Sequence, residues 1–267
     1  ILAIMNELYT RGYAKHHGIS EDELLNTGAY RLAQKIEALG KCPSVKFAQF
    51  GLRRRASGPW EEKVTRIIAN ALPGQMVGIS NVRLARDLGF EATGTNAHEL
   101  AMALYALRRH ESDEAARGSV YEVLDRWQRH WGQRLLIMLP DAFGSDRFLA
   151  NLPRQYLLDW RGFRQDSGDP FVFGQMVLDA YRAQGIDPKH KLIIFSDGLD
   201  PQKMIALHAR FSHQIGVSFG WGTNLTNDIG IPPISLVMKL AEAAGRPAVK
   251  LSDNIAKATG DPAEVEE

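Results

Sequence analysis

The pattern of apolar and polar positions along the chain predicts alternating strands and helices. From residue 45 onward, short apolar or β-branched runs precede stretches with helical spacing, and nearly every run ends in Gly, Ser, Asn or Asp. The candidate strands are 45–50, 75–79, 91–94, 134–139, 162–164, 191–196, 215–220 and 235–240. Because such alternation is typical of parallel sheets, the pattern indicates an α/β fold.

The stretches between these runs predict the helices. They are 60–71, 82–88, 97–108, 119–130, 174–184 and 201–209. Pro59 and Pro201 stand where a first-turn proline is tolerated, and Asp200 is placed to cap the helix after it. Seven or eight strands with intervening helices favour an irregular (β/α) barrel over an open doubly wound sheet.

The pattern also predicts how the chain is organised. Residues 1–40 are expected to form a helical lead-in, residues 41–240 the barrel that does the chemistry, and residues 241–267 a hairpin and tail with its turn at 244–247. Ile1 already stands at helical spacing from the next apolar residues, and no capping residue precedes it. We therefore expect the chain to follow a missing N-terminal part.

Composition narrows the class of partner. The 267 residues have a formal net charge of +1, which provides no overall field favouring nucleic acid or an anionic membrane. Cys42 is the only cysteine, which excludes an internal disulfide and fits a reducing compartment, so a cytoplasmic location is expected. No apolar run approaches the ~18 residues of a membrane helix.

In a (β/α) barrel the loops after the strands hold the functional groups. The first such loop places Arg53, Arg54 and Arg55 shortly after Phe50. Guanidinium forks suit a carboxylate or a phosphate, and a phenyl ring offers a face for stacking. The alternative interpretation is a solvated basic turn.

Among the eight histidines, His98 has the most suggestive position, because it opens a helix just after a predicted strand. A histidine there can act as a base or nucleophile, with helix N-terminal amides nearby to hold an anion. An isolated histidine is more often structural, so His98 alone decides nothing.

Acidic residues follow three successive strands: Asp141 and Asp146, then Asp166 and Asp169, then Asp197 and Asp200. Such carboxylates hold Mg²⁺, accept hydrogen bonds from ribose hydroxyls, or stabilise a cationic transition state. Each motif alone is explained as a turn, since Asp and Gly favour turns. Their coincidence at three strand ends favours a function.

A late glycine-rich loop contains Gly220, Gly222 and Thr223. Glycines let backbone amides approach a phosphate, and the late loops of α/β barrels are a common phosphate site. The loop matches neither the P-loop nor the dinucleotide-binding fingerprint. Together the loops predict an enzyme acting on a phosphorylated substrate.

Five strings in order, FGLRRRAS, GTNAHE, RQDSGDP, IFSDGLD and FGWGTNLTND, and the hairpin string AGRPAVKLSD resemble the nicotinate phosphoribosyltransferase family. The resemblance implies an irregular barrel of the type II phosphoribosyltransferases with a smaller second domain, acting as a homodimer with sites near the interface. It implies formation of nicotinate mononucleotide and pyrophosphate from nicotinate and phosphoribosyl pyrophosphate. ATP hydrolysis would be coupled through a phosphohistidine, with Mg²⁺ as cofactor.

The resemblance also implies residue roles. His98 matches the phosphorylated histidine, Phe50 and Arg53 would bind nicotinate, and Asp141 would either orient His98 or hold Mg²⁺. Arg164 and the catalytic Asp166 would lie beside base and ribose, Asp197 and Gly198 at the ribose, and Gly220, Gly222 and Thr223 around the 5′-phosphate.

Ser80 bears on substrate choice, because related nicotinamide enzymes have an aspartate near this position, whereas a neutral serine does not repel a carboxylate. Three alternatives stay open. The chain could be a nicotinamide phosphoribosyltransferase, a quinolinate phosphoribosyltransferase, or a catalytically silent barrel that binds a phosphosugar.

Overall fold

The computed structural model describes residues 1–266, so Glu267 of the predicted tail lies outside the described residues. The helices are α1 (Leu2–His17), α2 (Glu21–Gly40), α3 (Gly58–Ala71), α4 (Val82–Leu88), α5 (His98–Arg108), α6 (Asp113–Trp131), α7 (Ser145–Ala150), α8 (Arg154–Asp159), α9 (Pro170–Ala183), α10 (Pro201–Phe211), α11 (Thr223–Thr226) and α12 (Pro262–Glu266). The strands are β1 (Phe47–Gln49), β2 (Met76–Ile79), β3 (Ile137–Met138), β4 (Gly162–Gln165), β5 (Leu192–Phe195), β6 (Gly216–Trp221), β7 (Glu242–Ala243) and β8 (Arg246–Pro247).

The chain divides into two compact units, each assembled from separate stretches of sequence. Unit 1 comprises Ile1–Thr93, Gly198–Arg210 and Val217–Met238, and unit 2 comprises Gly94–Asp197, Phe211–Gly216 and the chain from Lys239 onward.

Unit 1 is built around strand β1, which pairs in parallel with β2 on one side and β6 on the other. Phe47 is fully buried and packs edge to face against Trp221 of β6, with ring centroids 5.4 Å apart. Ser57 caps α3 by accepting a hydrogen bond from the Trp60 amide, and Pro59 occupies the first turn as expected. Burial of these aromatic rings stabilises the unit.

Unit 2 is built around strand β4, which pairs in parallel with β3 and β5. Gly162 of β4 runs so close to Leu192 of β5 that a β-carbon would stand 1.8 Å from the Leu192 carbonyl oxygen. Only glycine permits this approach. Helices α5 and α6 pack together over a cluster of Ala101, Leu104, Val123 and Ala142. The carboxyl ends of three parallel strands therefore lie side by side in this unit.

The α/β class with parallel strands is confirmed, but three predicted strands differ. Residues 91–94 form only a bridge, in which Ala92 pairs with Ile79. Strand β3 is shorter than predicted because Leu135 has a φ of 54°, which interrupts an extended run. The prediction for 235–240 is wrong, because no strand forms there: the segment follows two prolines, and although Leu240 packs against a core cluster, Val237 and Met238 are exposed.

The predicted helices are present, and two of them begin at least one turn earlier than expected: α6 by six residues and α9 by four. The C-terminal hairpin forms from β7 and β8, but its turn is Ala244–Gly245 rather than 244–247, since Arg246 and Pro247 belong to β8. Asp200 caps α10, as its side chain accepts a hydrogen bond from the Lys203 amide at 2.7 Å. Among residues 1–266, none of the helices combines the length and apolar character that a membrane crossing requires.

Candidate active site

His98 is the first residue of α5 and lies in unit 2, where its side chain is 5% exposed. Its Nε2 atom lies 2.8 Å from Oδ1 of Asp141 and 3.8 Å from Oδ2 of Asp166. Asp141 follows β3 and Asp166 follows β4, so two neighbouring strand ends bring both carboxylates to one imidazole. An Asp141 carboxylate accepting from Nε2 fixes the ring orientation and places the proton on that nitrogen.

Asp141 is 1% exposed, and its second oxygen is also bonded. Oδ2 accepts a hydrogen bond from Ser167 Oγ at 2.6 Å and one from Lys250 Nζ at 3.3 Å. A buried carboxylate is stable only when it is paired and hydrogen-bonded, and here His98, Ser167 and Lys250 provide this.

The charge state of Asp141 follows from these contacts. Burial alone raises the pKa of a carboxyl group, but the hydrogen bond and charge of His98, together with the charge of Lys250, outweigh it. The net result is a pKa for Asp141 well below its ordinary value. Burial likewise raises the pKa of Asp166, but the charges of Arg164 and His98 and the hydrogen bond from Arg164 together outweigh it, so the pKa of Asp166 is also lowered.

Arg164, in β4, connects three loops of unit 2. Its guanidinium donates from Nη2 to Asp166 Oδ1 at 2.5 Å, from Nη1 to Thr95 Oγ1 at 2.7 Å, and from Nε to Ser196 Oγ at 2.9 Å. Thr95 lies just ahead of α5, and Ser196 follows β5. The planar guanidinium of Arg164, fixed by its three partners, holds the Asp166 carboxylate in a defined position beside His98.

Three residues of the C-terminal segment contact the same cluster. Lys250 reaches Asp141, as described above. Asp253 accepts from the amide and hydroxyl of Ser145 at 2.7 and 2.6 Å, and its own amide donates to Ser167 Oγ at 3.1 Å. Lys257 Nζ lies 2.7 Å from Asp197 Oδ1 and donates to the Asp166 carbonyl at 3.3 Å. The cluster therefore combines strand-end loops with residues from the tail.

The ligand atoms of His98, Asp141 and Asp166 all lie within 4.8 Å of one another, a spacing compatible with a metal ion. Both Asp141 oxygens, however, already accept hydrogen bonds, one of them from a lysine cation. Mg²⁺ needs oxygen lone pairs directed at it and is usually held partly by substrate phosphates. The donor set around Asp141 does not fit a magnesium ligand.

In unit 1, backbone groups of the loop after β1 form hydrogen bonds with the end of β6 and the residues that follow it. The Phe50 amide donates to the Trp221 carbonyl at 2.8 Å, and Thr226 Oγ1 donates to the Gly51 carbonyl at 3.0 Å. Asn227 donates to the Arg54 carbonyl at 2.8 Å. The loop is thus held in place while Phe50 stays half-buried and the Arg53 side chain is exposed.

The glycine-rich segment of unit 1 lies beside Phe50. Gly220 is a buried residue of β6 paired with Ala48, and a β-carbon at Gly222 would stand 3.4 Å from the Phe50 carbonyl oxygen. Thr223 begins the one-turn helix α11. Phe50, Gly220 and Gly222 therefore belong to one compact region.

Comparison with known protein families gives a match over most of the chain. Residues 45–267 match the model of the nicotinate phosphoribosyltransferase (NAPRTase) family. This chain belongs to that family.

Two solved nicotinate phosphoribosyltransferases show the same relationship. The enzyme from Porphyromonas gingivalis is 32% identical with a TM-score of 0.88, and 99% of this chain covers 67% of that one. The enzyme from Vibrio cholerae is 33% identical with a TM-score of 0.87, and 99% of this chain covers 64% of it. The chain spans about two thirds of the length of these family members.

The residues predicted from the family strings fall into two groups. Unit 2 contains His98, Asp141, Asp166, Arg164 and Asp197, of which the first four form one connected cluster and Asp197 joins it through Lys257. Unit 1 contains Phe50, Arg53, Ser80, Gly198, Gly220, Gly222 and Thr223. In this second group, the Ser80 amide donates to the Gln49 carbonyl at 2.8 Å, and Gly198 is exposed with a φ of 56°.

Sequence reasoning assigned no role to Ser167, Lys250, Asp253 or Lys257. Ser167 stood inside the string RQDSGDP, and Lys250 inside the hairpin string of the family. The available signal was a lysine in a short apolar stretch, AVKL, where burial requires an anionic partner.

Proposed function

We propose that the chain provides the catalytic residues of a nicotinate phosphoribosyltransferase. The enzyme would convert nicotinate and phosphoribosyl pyrophosphate to nicotinate mononucleotide and pyrophosphate, coupled to ATP hydrolysis. Within the family that the chain belongs to, one observation supports the ATP-coupled form: the buried contact of 2.8 Å between His98 Nε2 and Asp141. That contact orients an imidazole for reaction at its other nitrogen.

In this proposal, His98 is the phosphoryl acceptor. With the Nε2 proton directed to Asp141, the lone pair of the neutral ring resides on Nδ1. Nδ1 attacks the γ-phosphorus of ATP in line, the bond from that phosphorus to the β–γ bridging oxygen breaks, and ADP leaves with the electron pair. Because His98 is 5% exposed, the loop ahead of α5 must open for ATP to reach it.

Of the two roles considered for Asp141, we propose the orienting one. Its lowered pKa keeps it anionic, so it stabilises the positive charge that the imidazole acquires during transfer. Magnesium would be held chiefly by the phosphates of ATP and pyrophosphate, which suits the dehydration preferences of the ion.

The sugar transfer needs a different arrangement. Departure of pyrophosphate from the anomeric carbon develops positive charge on the ribose and negative charge on the leaving group. Asp166, held by Arg164, and Asp197 supply negative charge for the ribose side in this proposal. Gly198 would allow close approach to the ribose, and Gly220, Gly222 and Thr223 would bind the 5′-phosphate.

Nicotinate would stack on Phe50 and pair its carboxylate with Arg53, since a guanidinium fork matches a carboxylate geometrically. The neutral Ser80 favours nicotinate over nicotinamide as the acceptor base. We also propose that the parallel strands belong to the irregular barrel of the type II phosphoribosyltransferases, that the enzyme is a homodimer, and that it works in the cytoplasm.

The test is a coupled assay of the full chain with nicotinate, nicotinamide or quinolinate, each with and without Mg-ATP. We expect nicotinate mononucleotide from nicotinate alone among the three, with a rate increased by ATP. Product from quinolinate with release of CO₂, or preferential use of nicotinamide, would replace the proposal with one of the alternatives.

The phosphohistidine has its own test. Labelled Mg-ATP should give acid-labile, base-stable label on the protein, and His98→Ala should abolish it. His110→Ala is the matched control, because His110 is an exposed histidine just after the C-terminal end of the helix that His98 begins. Label that persists in His98→Ala contradicts the assignment.

A further inference from the structure

Glu61 of unit 1 is a fully buried carboxylate outside the residues discussed so far. It lies in the first turn of α3, and its exposed fraction is 0%. The helix dipole favours a negative charge at this position, but burial of an ionised group requires several hydrogen bonds as well. A buried charge of this kind calls for an explanation beyond packing.

Three side chains donate to this carboxylate. Arg55 Nη1 lies 2.9 Å from Oε2, Gln49 Nε2 lies 3.0 Å from Oε1, and Asn81 Nδ2 lies 3.2 Å from both oxygens. Gln49 and Asn81 are themselves buried, and Gln49 also donates to Thr65 Oγ1 at 3.2 Å. The carboxylate is thus the common acceptor of a buried polar network.

The donors lie in, or directly beside, the two loops proposed to bind the base. Gln49 ends β1 directly before Phe50, and Arg55 follows the short 3₁₀ turn that contains Arg53. Asn81 stands next to Ser80 and caps α4. Through Gln49 the network also reaches both backbones, because the Gly51 amide donates to Gln49 Oε1 at 3.0 Å and the Ser80 amide to the Gln49 carbonyl at 2.8 Å.

We infer that Glu61 is a positioning residue that fixes the loop of Phe50 and Arg53 relative to the loop of Ser80, and thereby sets the affinity for the aromatic acid. This inference rests on the proposed binding of nicotinate by these loops. The side chains that donate to Glu61 all belong to unit 1, so we expect this residue to act on binding of the base and not on phosphoryl transfer.

The test compares Glu61→Gln with Glu62→Gln. Glu62 is the next residue of the same helix, but it is one-third exposed and pairs with Arg66 and Arg83 at the surface. Glu61→Gln replaces one carboxylate oxygen by an amide nitrogen, which cannot accept a hydrogen bond. Arg55, Gln49 and Asn81 then share one acceptor oxygen instead of two. We expect the KM for nicotinate to rise about tenfold in Glu61→Gln with kcat changed less than about twofold, and the control to match wild type.

A second variant covers the case in which Glu61→Gln does not fold. Asn81→Ser keeps a residue that can cap α4 but is too short to reach Glu61. It should raise the KM for nicotinate in the same direction. Equal changes in every kinetic parameter, including the rate of His98 labelling, would show a merely structural role and overturn the inference, as would unchanged kinetics in both variants.

Hydrogen exchange separates this inference from the proposed function. The Gly51 and Ser80 amides both use acceptors on Gln49, so their exchange should accelerate together in Glu61→Gln and stay unchanged in Glu62→Gln. This readout needs no substrate. If wild-type protein fails to use nicotinate, the proposed function fails while the exchange still tests the coupling of the loops; if the two amides respond independently, the inference itself fails.

Discussion

The two units hold their site residues in different ways. In unit 2 the side chains of the candidate site bond to each other: Asp141 accepts from His98, Ser167 and Lys250, and Arg164 donates to three partners. In unit 1 the backbone of the loop after β1 is fixed by hydrogen bonds, whereas the Arg53 side chain is exposed.

This difference matches the tasks proposed for the two groups. Phosphoryl transfer to an imidazole depends on one proton position and one ring orientation, so its side chains must be fixed before the substrate arrives. Binding of a planar acid needs a fixed loop whose guanidinium and ring can still meet the ligand.

Asp141→Asn should break the arrangement of unit 2 most severely. The amide keeps the shape of the side chain but loses the charge that orients His98 and stabilises its cationic form. We expect the rate of His98 labelling by Mg-ATP to fall about 100-fold or more. The labelling time course, measured in single-turnover experiments, checks this.

Asp146→Asn is the control, because Asp146 lies five residues after Asp141, in the first turn of α7, and is exposed. A labelling rate that is the same in Asp141→Asn and wild type would show that the contact at 2.8 Å plays no part in the chemistry.

Lys250→Met should destabilise unit 2, because it removes the buried cation that faces Asp141. Breaking a buried pair by deleting one partner costs about 3 kcal/mol or more in the free energy of unfolding. Since Lys250 helps to lower the pKa of Asp141, the pKa should rise toward its ordinary value in the variant. A lowered folded pKa gives stability that is lost as pH falls through it, so acid unfolding should begin at higher pH in Lys250→Met.

Denaturant unfolding at several pH values measures both effects. Lys239→Met is the control, because Lys239 pairs with the partly exposed Glu99 at 3.0 Å, and such pairs contribute about 1 kcal/mol or less. If both variants lose the same free energy of unfolding, the buried Lys250–Asp141 pair contributes no more to stability than a partly exposed pair.

Much of the fold and of this cluster could be predicted from the sequence. Parallel strands followed by polar loops were expected from the alternating pattern, and His98, Asp141 and Asp166 each stood at a predicted strand end. Proximity of strand ends is a property of parallel pairing, so local pattern was sufficient to group Asp141 with Asp166. The strand predicted ahead of His98 forms only a bridge, and the place of His98 beside Asp141 was expected from the family resemblance.

The remaining contacts depend on tertiary approach, which local pattern does not encode. Lys250 meets Asp141 across 109 positions of sequence, and no spacing rule connects two such residues. The strand predicted at 235–240 does not form, although its apolar residues have the pattern of a strand. Val237 and Met238 remain exposed there. Burial, and not pattern alone, decides whether a run becomes a strand.

Gly51→Ala should disturb the fixed backbone of unit 1. An added β-carbon would stand 2.2 Å from Thr226 Cγ2 and Oγ1, and Thr226 is the residue that anchors this loop. The φ of Gly51 is −86°, which any residue adopts, so the cost comes from the clash alone. We expect a loss of about 1–3 kcal/mol in the free energy of unfolding, measured by urea titration.

Gly94→Ala gives the comparison within unit 2, in the loop ahead of His98. An added β-carbon there meets nothing within 4 Å, so its stability should change by no more than a few tenths of a kcal/mol. Similar losses at both glycines would remove the distinction between a loop held by close packing and one that has room to open.

Glu122→Gln tests whether the acid sensitivity of unit 2 originates at the Asp141 cluster or at the surface of the unit. Glu122 of α6 accepts hydrogen bonds from Arg108 and Arg126, and these lower its pKa from 4.5 to about 2. Its contribution is therefore complete above pH 4.5 and disappears as the pH falls toward 2. Because water screens these ion pairs, Glu122→Gln should lower the free energy of unfolding by at most about 1 kcal/mol at neutral pH and leave the acid midpoint nearly unchanged.

Acid titrations of Glu122→Gln and Lys250→Met, monitored by circular dichroism, decide between the two origins. If Glu122→Gln moves the midpoint as far as Lys250→Met does, surface ion pairs, and not the Asp141 cluster, govern the stability of unit 2 in acid.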